Sequence, residues 1–459
     1  MFNLSDTICA ICTPKGTGAI SAIRISGSDS WNIAKQIFST SNPQFSILDS
    51  QFVFNHMHAM HGYIKDNDKI IDEVIILPFK SPKSFTTEDG IEIYCHGGLQ
   101  VTSQILSLCL KNGARQAKQG EFTFRAFVNG RIDLTEAEAI NEIISADNEK
   151  AVSTASEILS GSLKKKILQF REKLFDLITR IESSIEFPMD VADTSKKEMA
   201  LSLNEIKFEI NKLIDSSKEG QIIRDGIKVS IIGPPNAGKS SLLNQLLESE
   251  RAIVSEEPGT TRDTIEEKMI IDGWPVVLVD TAGIREKRDI SDSEKHGIER
   301  SKSTIQKSDV VLAVFDITND KTEEFSLLLR DKSKIMVGNK IDLVNEKSIN
   351  KNGFDVLISA KNGTNIDLLK RSLIDRIKSF TNSNSSENFT CHINQRQKEL
   401  LIQCNYAIEN SLSLTDKAIS EDLISDELKN AVSKLDEISG RVVSDAVIQN
   451  IFAKFCIGK

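Results

Sequence analysis

The stretch richest in chemistry is Gly233-Pro-Pro-Asn-Ala-Gly-Lys-Ser240, which fits G-x-x-x-x-G-K-[ST]. That spacing builds a phosphate cradle, in which backbone N–H groups and a helix N-terminus point at anionic oxygens. Lys239 reaches the outer phosphates and Ser240 ligates Mg2+. Gly233, Asn236, Ala237, Gly238 and Ser241 complete the candidate nucleotide contacts. The side-chain oxygen of Asn236 can hold a monovalent cation beside the phosphates, doing electrostatically what an arginine finger does; a plain turn residue is the other reading of the same asparagine.

Further motifs follow in the order a GTPase needs. Pro258-Gly-Thr-Thr-Arg-Asp263 supplies a loop in which Thr261 can complete Mg2+ coordination. Asp280, Thr281, Ala282 and Gly283 end a buried strand, placing a carboxylate near the metal's water shell and an N–H near the γ-phosphate. Asn339, Lys340 and Asp342 form N-K-x-D, whose aspartate accepts from guanine's ring N–H and exocyclic amine. Ser359, Ala360 and Lys361 back up base recognition. Ile284 stands where many GTPases carry the glutamine that orients water, so another group must do so.

Strands and helices must position these residues. Buried strands are expected at Val229–Ile232, Val276–Val279, Val310–Phe315, Ile335–Val337 and Val356–Ile358, alternating with helices as in an α/β sheet. Upstream, strands at 7–12, 19–25, 74–79 and 91–95 indicate an α+β domain. A capping box at Thr135 and Glu138 opens a helix. Apolar residues from Ala155 to Ile185 then predict one long helix with a single buried stripe, ended by Pro188. A helix over Glu205–Ser216 precedes Gly220, and helices recur at 395–414 and 419–455. The expected fold class is therefore multi-domain α/β. Residues 1–128 form an α+β domain, 129–220 and 384–459 the two halves of a split helical bundle, and 221–383 an inserted Ras-like P-loop domain.

The chain has 459 residues, 39% of them hydrophobic and 27% charged, with net charge −9 and seven cysteines. No run reaches the roughly 18 apolar residues of a bilayer span, and the N-terminus lacks the pattern of a secretory signal. Scattered cysteines fit a reducing cytoplasm rather than a disulfide framework. The acidic balance argues against a global nucleic-acid footprint. It also argues against a ribosome-assembly switch, which shares the nucleotide motifs but needs a basic RNA-binding appendage.

GPPNAGKSSLLN, PGTTRD, DTAGIRE, SEKHGIERS and the terminal Cys456-Ile-Gly-Lys459 resemble the MnmE (TrmE) family of bacterial tRNA-modification GTPases. IRISG, EDGIEIYCHGG, GEFTFRAFVNGRIDLTEAEAI and IEFP are similar to it as well, so the likeness covers essentially the whole chain. The resemblance implies an N-terminal tetrahydrofolate-binding domain that also dimerises. It implies potassium held by Asn236, Ser255, Glu257 and Thr260, with Glu256, Pro258 and Gly259 in the same nucleotide-binding loop. It makes Glu294 the catalytic glutamate that orients water, with Glu286 the alternative because an insertion near Lys287–Ile290 precedes it. Folate contacts map to Arg24, Glu92, Arg131 and Lys459. The implied cofactors are GTP, Mg2+, K+ and 5-formyl- or 5,10-methylene-tetrahydrofolate. The implied partners are a second copy of the chain, the flavoprotein MnmG and tRNA, with no membrane.

Some residues keep two readings. Cys456 is a candidate for the folate site or a core residue beside Phe452 and Phe455. Cys9-x-x-Cys12 lacks a second pair, so strand alternation explains it better than a metal. His56, His58 and His61 lack supporting context for a metal. Lys164-Lys-Lys166 is a solvated helix face or a tRNA contact.

Overall fold

A computed structural model describes residues 4–40, 54–186, 196–249, 267–279, 304–318, 332–344, 353–381, 392–417 and 420–459. They divide into two compact units, one of 1–141, 158–176 and 429–459, the other of 142–157 and 177–428. Among the described residues no helix is long and apolar enough to cross a membrane.

The first unit is built on a seven-stranded sheet. Its strands are β1 (Ile8–Ile11), β2 (Ile20–Ser26), β3 (Phe38–Ser39), β4 (Met60–Asp66), β5 (Lys69–Phe79), β6 (Gly90–His96) and β7 (Arg115–Gln116), in the order β3-β4-β5-β6-β2-β1-β7. Strict alternation in β2 and β6 sends Ile23, Ile25, Ile91 and Ile93 into a core with Ile33, Ile37 and Ile105. The opposite face carries Arg24 and Glu92, directly paired across the two antiparallel strands. A one-residue slip would exchange those faces, so the burial of the isoleucines also fixes where the charges stand.

In the second unit β8 (Ile227–Ile232), β9 (Glu267–Ile271), β10 (Trp274–Val279), β11 (Val310–Asp316), β12 (Lys334–Asn339) and β13 (Val356–Ile358) form a six-stranded sheet ordered β13-β12-β11-β8-β10-β9. Only β9 runs antiparallel. The central strands are continuous apolar runs, buried on both faces as parallel strands usually are, with every residue from Val310 to Phe315 buried. The order reverses at β8, with β11 on one side and β10 on the other. Ligands of open α/β sheets bind in the crevice that such a reversal leaves at the carboxyl ends.

Each expected strand is present, but several helices differ. The box predicted at Thr135 and Glu138 lies two residues earlier. Glu136 N–H donates to Asp133 Oδ1 at 2.9 Å and Asp133 N–H donates to Glu136 Oε2 at 2.7 Å, opening the helix Leu134–Ser145. Aspartate is as good an N-cap as threonine, and Leu134 and Thr135 are needed inside. The expected single long helix is two, Glu149–Leu159 and Ser162–Glu186, because Gly161 takes φ +91° between them. The apolar stripe continues across the break, which is why periodicity did not reveal it. The helix expected at 205–216 extends over Lys196–Asp225 and runs through Gly220, where a Cβ would lie 2.7 Å from that of His392. Close packing, not termination, is the use of that glycine. The C-terminal stretch is likewise interrupted, giving Glu421–Ser439 and Asp445–Phe452. The helix Gln395–Asp416 opens with a complete capping box of Asn394 and Gln397. It packs on Lys196–Asp225, where Asn405 donates to Asn211 at 2.6 Å and Lys207 meets Glu409 at 2.8 Å.

Candidate guanine-nucleotide and N-terminal ligand sites

The loop after β8 leads straight into the helix Lys239–Ser249. Asn236 sits at φ +63° and Gly238 at φ +95°. A Cβ on Gly238 would stand 2.1 Å from Asn339 Nδ2, so the loop closes on the base-side loop only through a glycine. Lys239 Nζ donates to the carbonyls of Gly233 at 2.9 Å and Pro234 at 2.8 Å. Burial pulls its ammonium below the usual lysine range. Among the described residues this half-buried cation is satisfied by neutral carbonyls, which it can exchange for phosphate oxygens, so the cradle fits a nucleotide's phosphates. Asn236 is exposed at the loop tip, and its left-handed backbone is one that asparagine tolerates in any turn.

Asn339 joins three segments. Its Nδ2 donates to Ala237 O at 2.8 Å, while its Oδ1 accepts from Lys340 N–H at 2.8 Å and Ala360 N–H at 2.9 Å. Ser359 Oγ donates to Asp342 Oδ1 at 2.6 Å. Among the described residues nothing donates to Asp342 Oδ2. The carboxylate is thus aimed by one oxygen and presents the other outward, as a reader of two adjacent N–H donors must. Gly233, Asn236–Ser241, Asn339, Lys340, Asp342 and Ser359–Lys361 are brought to the carboxyl end of one sheet. Ser255, Glu256, Glu257, Pro258, Gly259, Thr260, Thr261, Asp280, Thr281, Ala282, Gly283, Ile284, Glu286 and Glu294 lie outside the described residues.

In the first unit, Arg24, Glu92 and Arg131 line one pocket of about 290 Å³ together with Phe85. Arg24 Nε donates to Glu92 Oε1 at 2.9 Å and Tyr94 Oη donates to Glu92 Oε2 at 2.5 Å. Burial, and then that bond to Glu92, push the Tyr94 phenol up to about 12. The Arg24 and Arg131 guanidinium groups each stand 4.8 Å from the Phe85 ring centroid, and Arg131 also donates to Phe85 O at 2.7 Å. The volume is at the small end for ligand pockets and suits a bicyclic ring rather than an entire folate. Its carboxylate and guanidinium groups fit the polar edge of such a ring.

Lys459 is not in that lining. The C-terminal tail reaches the same region, for a Cβ on Gly458 would lie 2.9 Å from Cys12 Cα, and Lys459 O accepts from Phe122 N–H at 3.2 Å. Cys456 is exposed, which overturns its core reading; Phe452 and Phe455 fill the core instead. Cys9 is buried and Cys12 half-buried, as alternation requires, and burial pushes the Cys12 thiol up. Among the described residues no group of His, Cys, Asp and Glu could hold a metal. His61 pairs with Glu73 at 2.6 Å and His56 Nδ1 accepts from Lys80 N–H. Lys164 pairs with Glu136 at 3.0 Å.

Sequence reasoning missed a buried charge cluster in this unit. Arg125 is fully buried, with Nη2 2.7 Å from Asp6 Oδ1 and Nη1 3.1 Å from Glu88 Oε1. Arg115 meets both Asp6 at 2.6 Å and Glu121 at 2.5 Å. Glu121 and Arg125 lie i, i+4 on one helix, a spacing visible in the chain, but their partners at Asp6 and Glu88 are not predictable from it.

The strand order, the glycine-bounded loop and the converging base-side loops define a P-loop GTPase of the Ras-like class. Family models match over almost the whole length: "GTP-binding protein TrmE N-terminus" at residues 7–131 and "MnmE helical domain" at 134–456. The tRNA modification GTPase MnmE of Finegoldia magna is 38% identical over 463 residues, covering 99% of this chain and 100% of that protein. Those of Lactobacillus gasseri and Thermosipho melanesiensis are each 40% identical, covering 99% of this chain and 98% and 100% of their own. The chain belongs to the MnmE family of tRNA modification GTPases.

Proposed function

We propose that this protein is a cytoplasmic, potassium-dependent GTPase that acts as a homodimer with the flavoprotein MnmG on tRNA. Together they would add an aminomethyl or carboxymethylaminomethyl group to C5 of the wobble uridine in certain tRNAs. A bound tetrahydrofolate supplies the one-carbon unit, and GTP hydrolysis drives domain rearrangement rather than the carbon chemistry. The observation that carries the proposal is the 38–40% identity over 99% of the chain to proteins named for tRNA modification.

The site supports a division of labour. Lys239 neutralises phosphate charge, Asp342 reads the base, and Ser240 with Thr261 would hold Mg2+. Asn236, Ser255, Glu257 and Thr260 are assigned to potassium and Glu294 to orienting water, both by family likeness. Arg24, Glu92 and Arg131 would hold the pterin, with Lys459 and Cys456 on the adjacent tail.

Two outcomes follow. GTP turnover is faster in potassium than in sodium, by about tenfold or more if the cation stabilises transition-state charge; equal rates refute the cation assignment. Mass spectrometry of tRNA from a strain lacking the gene shows the modified wobble uridine lost. The wild-type gene restores it and one carrying Arg24→Ala does not. Retained modification in the deletion strain would overturn the proposed function, whereas restoration by Arg24→Ala would overturn the folate assignment alone.

A further inference from the structure

Asp316 ends β11 and stands opposite Asn339 in the register with β12. Its Oδ1 accepts from Thr318 N–H at 3.0 Å and from Thr318 Oγ1 at 2.7 Å, which fixes the carboxylate at the strand end. Its Oδ2 accepts from Lys340 Nζ at 2.6 Å. The side chains of the pair are only 19% and 29% exposed, so water screens the contact incompletely.

Lys340 needs an anchor. It adopts φ +72°, a left-handed conformation that a residue with a Cβ takes only at a cost. The turn Ile341–Leu343 that follows carries Asp342. Among the described residues, the contacts that hold Lys340 include its N–H on Asn339 Oδ1, its ammonium on Asp316 and, within the turn, its carbonyl, which accepts from Leu343 N–H at 3.1 Å. The backbone contacts are local to the loop, whereas the ammonium contact with Asp316 ties it to the central strand β11.

We infer that Asp316 is a positioning residue for guanine binding: by anchoring the Lys340 ammonium it holds the left-handed turn that aims Asp342 at the base. This deepens the GTP-binding reading and rests on it. The role depends on charge, because an asparagine at 316 keeps an oxygen for Thr318 but presents an N–H to Lys340 where the carboxylate presented an acceptor.

The test is Asp316→Asn, with binding of GDP, GTP and ITP followed by displacement of a fluorescent GDP analogue. GDP and GTP affinity fall by about tenfold, mainly through faster release, as expected on losing a partly desolvated ion pair. Turnover at saturating GTP stays within about twofold, so KM rises while kcat does not. Discrimination against ITP, which lacks the exocyclic amine that Asp342 accepts from, narrows. In a Lys340→Met background the ammonium is already gone, and adding Asp316→Asn costs nothing more. Affinity within twofold of wild type, or an equal loss in the Lys340→Met background, overturns the inference. Wild-type protein that fails to bind GDP would refute the nucleotide reading instead.

Discussion

Asp342→Asn lowers GTP affinity by about 10³–10⁴-fold and makes xanthosine triphosphate the better ligand. A site built to hydrogen-bond a particular edge discriminates on that scale, since the wrong partner leaves polar groups unpaired. Guanine presents two donors, the ring N–H and the exocyclic amine, to one carboxylate. Xanthine has a carbonyl where guanine has the amine, and the amide Nδ2 of asparagine can donate to it. Ser359 Oγ, 2.6 Å from Asp342 Oδ1, keeps the new side chain oriented rather than freeing it. Competition of GTP and xanthosine triphosphate against a fluorescent nucleotide measures the switch. Unchanged preference would mean that Asp342 does not read the base.

The second large effect is on stability. Arg125→Met should lower the opening free energy of the N-terminal sheet by about 3–5 kcal/mol, the usual cost of breaking a buried pair by removing one partner. The variant removes the guanidinium that Asp6, Glu88 and Glu121 share; Arg115 still meets Asp6 and Glu121 but not Glu88 among the described contacts, and Glu121 has no exposure to water. Hydrogen exchange at Ile8–Ile11 and Ile20–Ser26 isolates this unit from the rest of a multidomain chain, and protection there falls by about 10²–10⁴-fold. Protection within a few-fold of wild type contradicts the assignment. The cluster also sets an acid limit. Arg115, with a smaller contribution from Arg125, holds the Asp6 carboxyl below its ordinary value of 3.8. The stabilisation is therefore complete above that pH and is lost as pH falls through the lower folded value.

How much of this was legible in the chain depended on whether the information was local. The phosphate loop, N-K-x-D and S-A-K are contiguous segments whose chemistry is carried by residue type and spacing, and each stands at a strand end as expected. Strands were readable because burial on one or both faces imposes a period. Helix ends were less so. The box that forms, Asp133–Glu136, lies two residues before the Thr135–Glu138 pair with the same spacing, and the break at Gly161 hid inside an apolar stripe that continues past it. Gly220 read as a stop because a glycine's local preference says nothing about the distant His392 packed on it.

The sequence by itself determined the nucleotide chemistry, through Lys239, Asn339 and Asp342, and determined the family through blocks running from Arg24 to Lys459. Only tertiary structure decided which of those blocks meet. Arg24 and Glu92 are neighbours because one strand register buries the intervening isoleucines and turns both charges to the other face. Cys456 is exposed because Phe452 and Phe455 take the core positions. Arg125 and Asp316 were invisible as functional or structural anchors, since each acts on partners far along the chain or across neighbouring strands. Long-range pairing is set by packing, and packing is the part of the physics that no local spacing encodes.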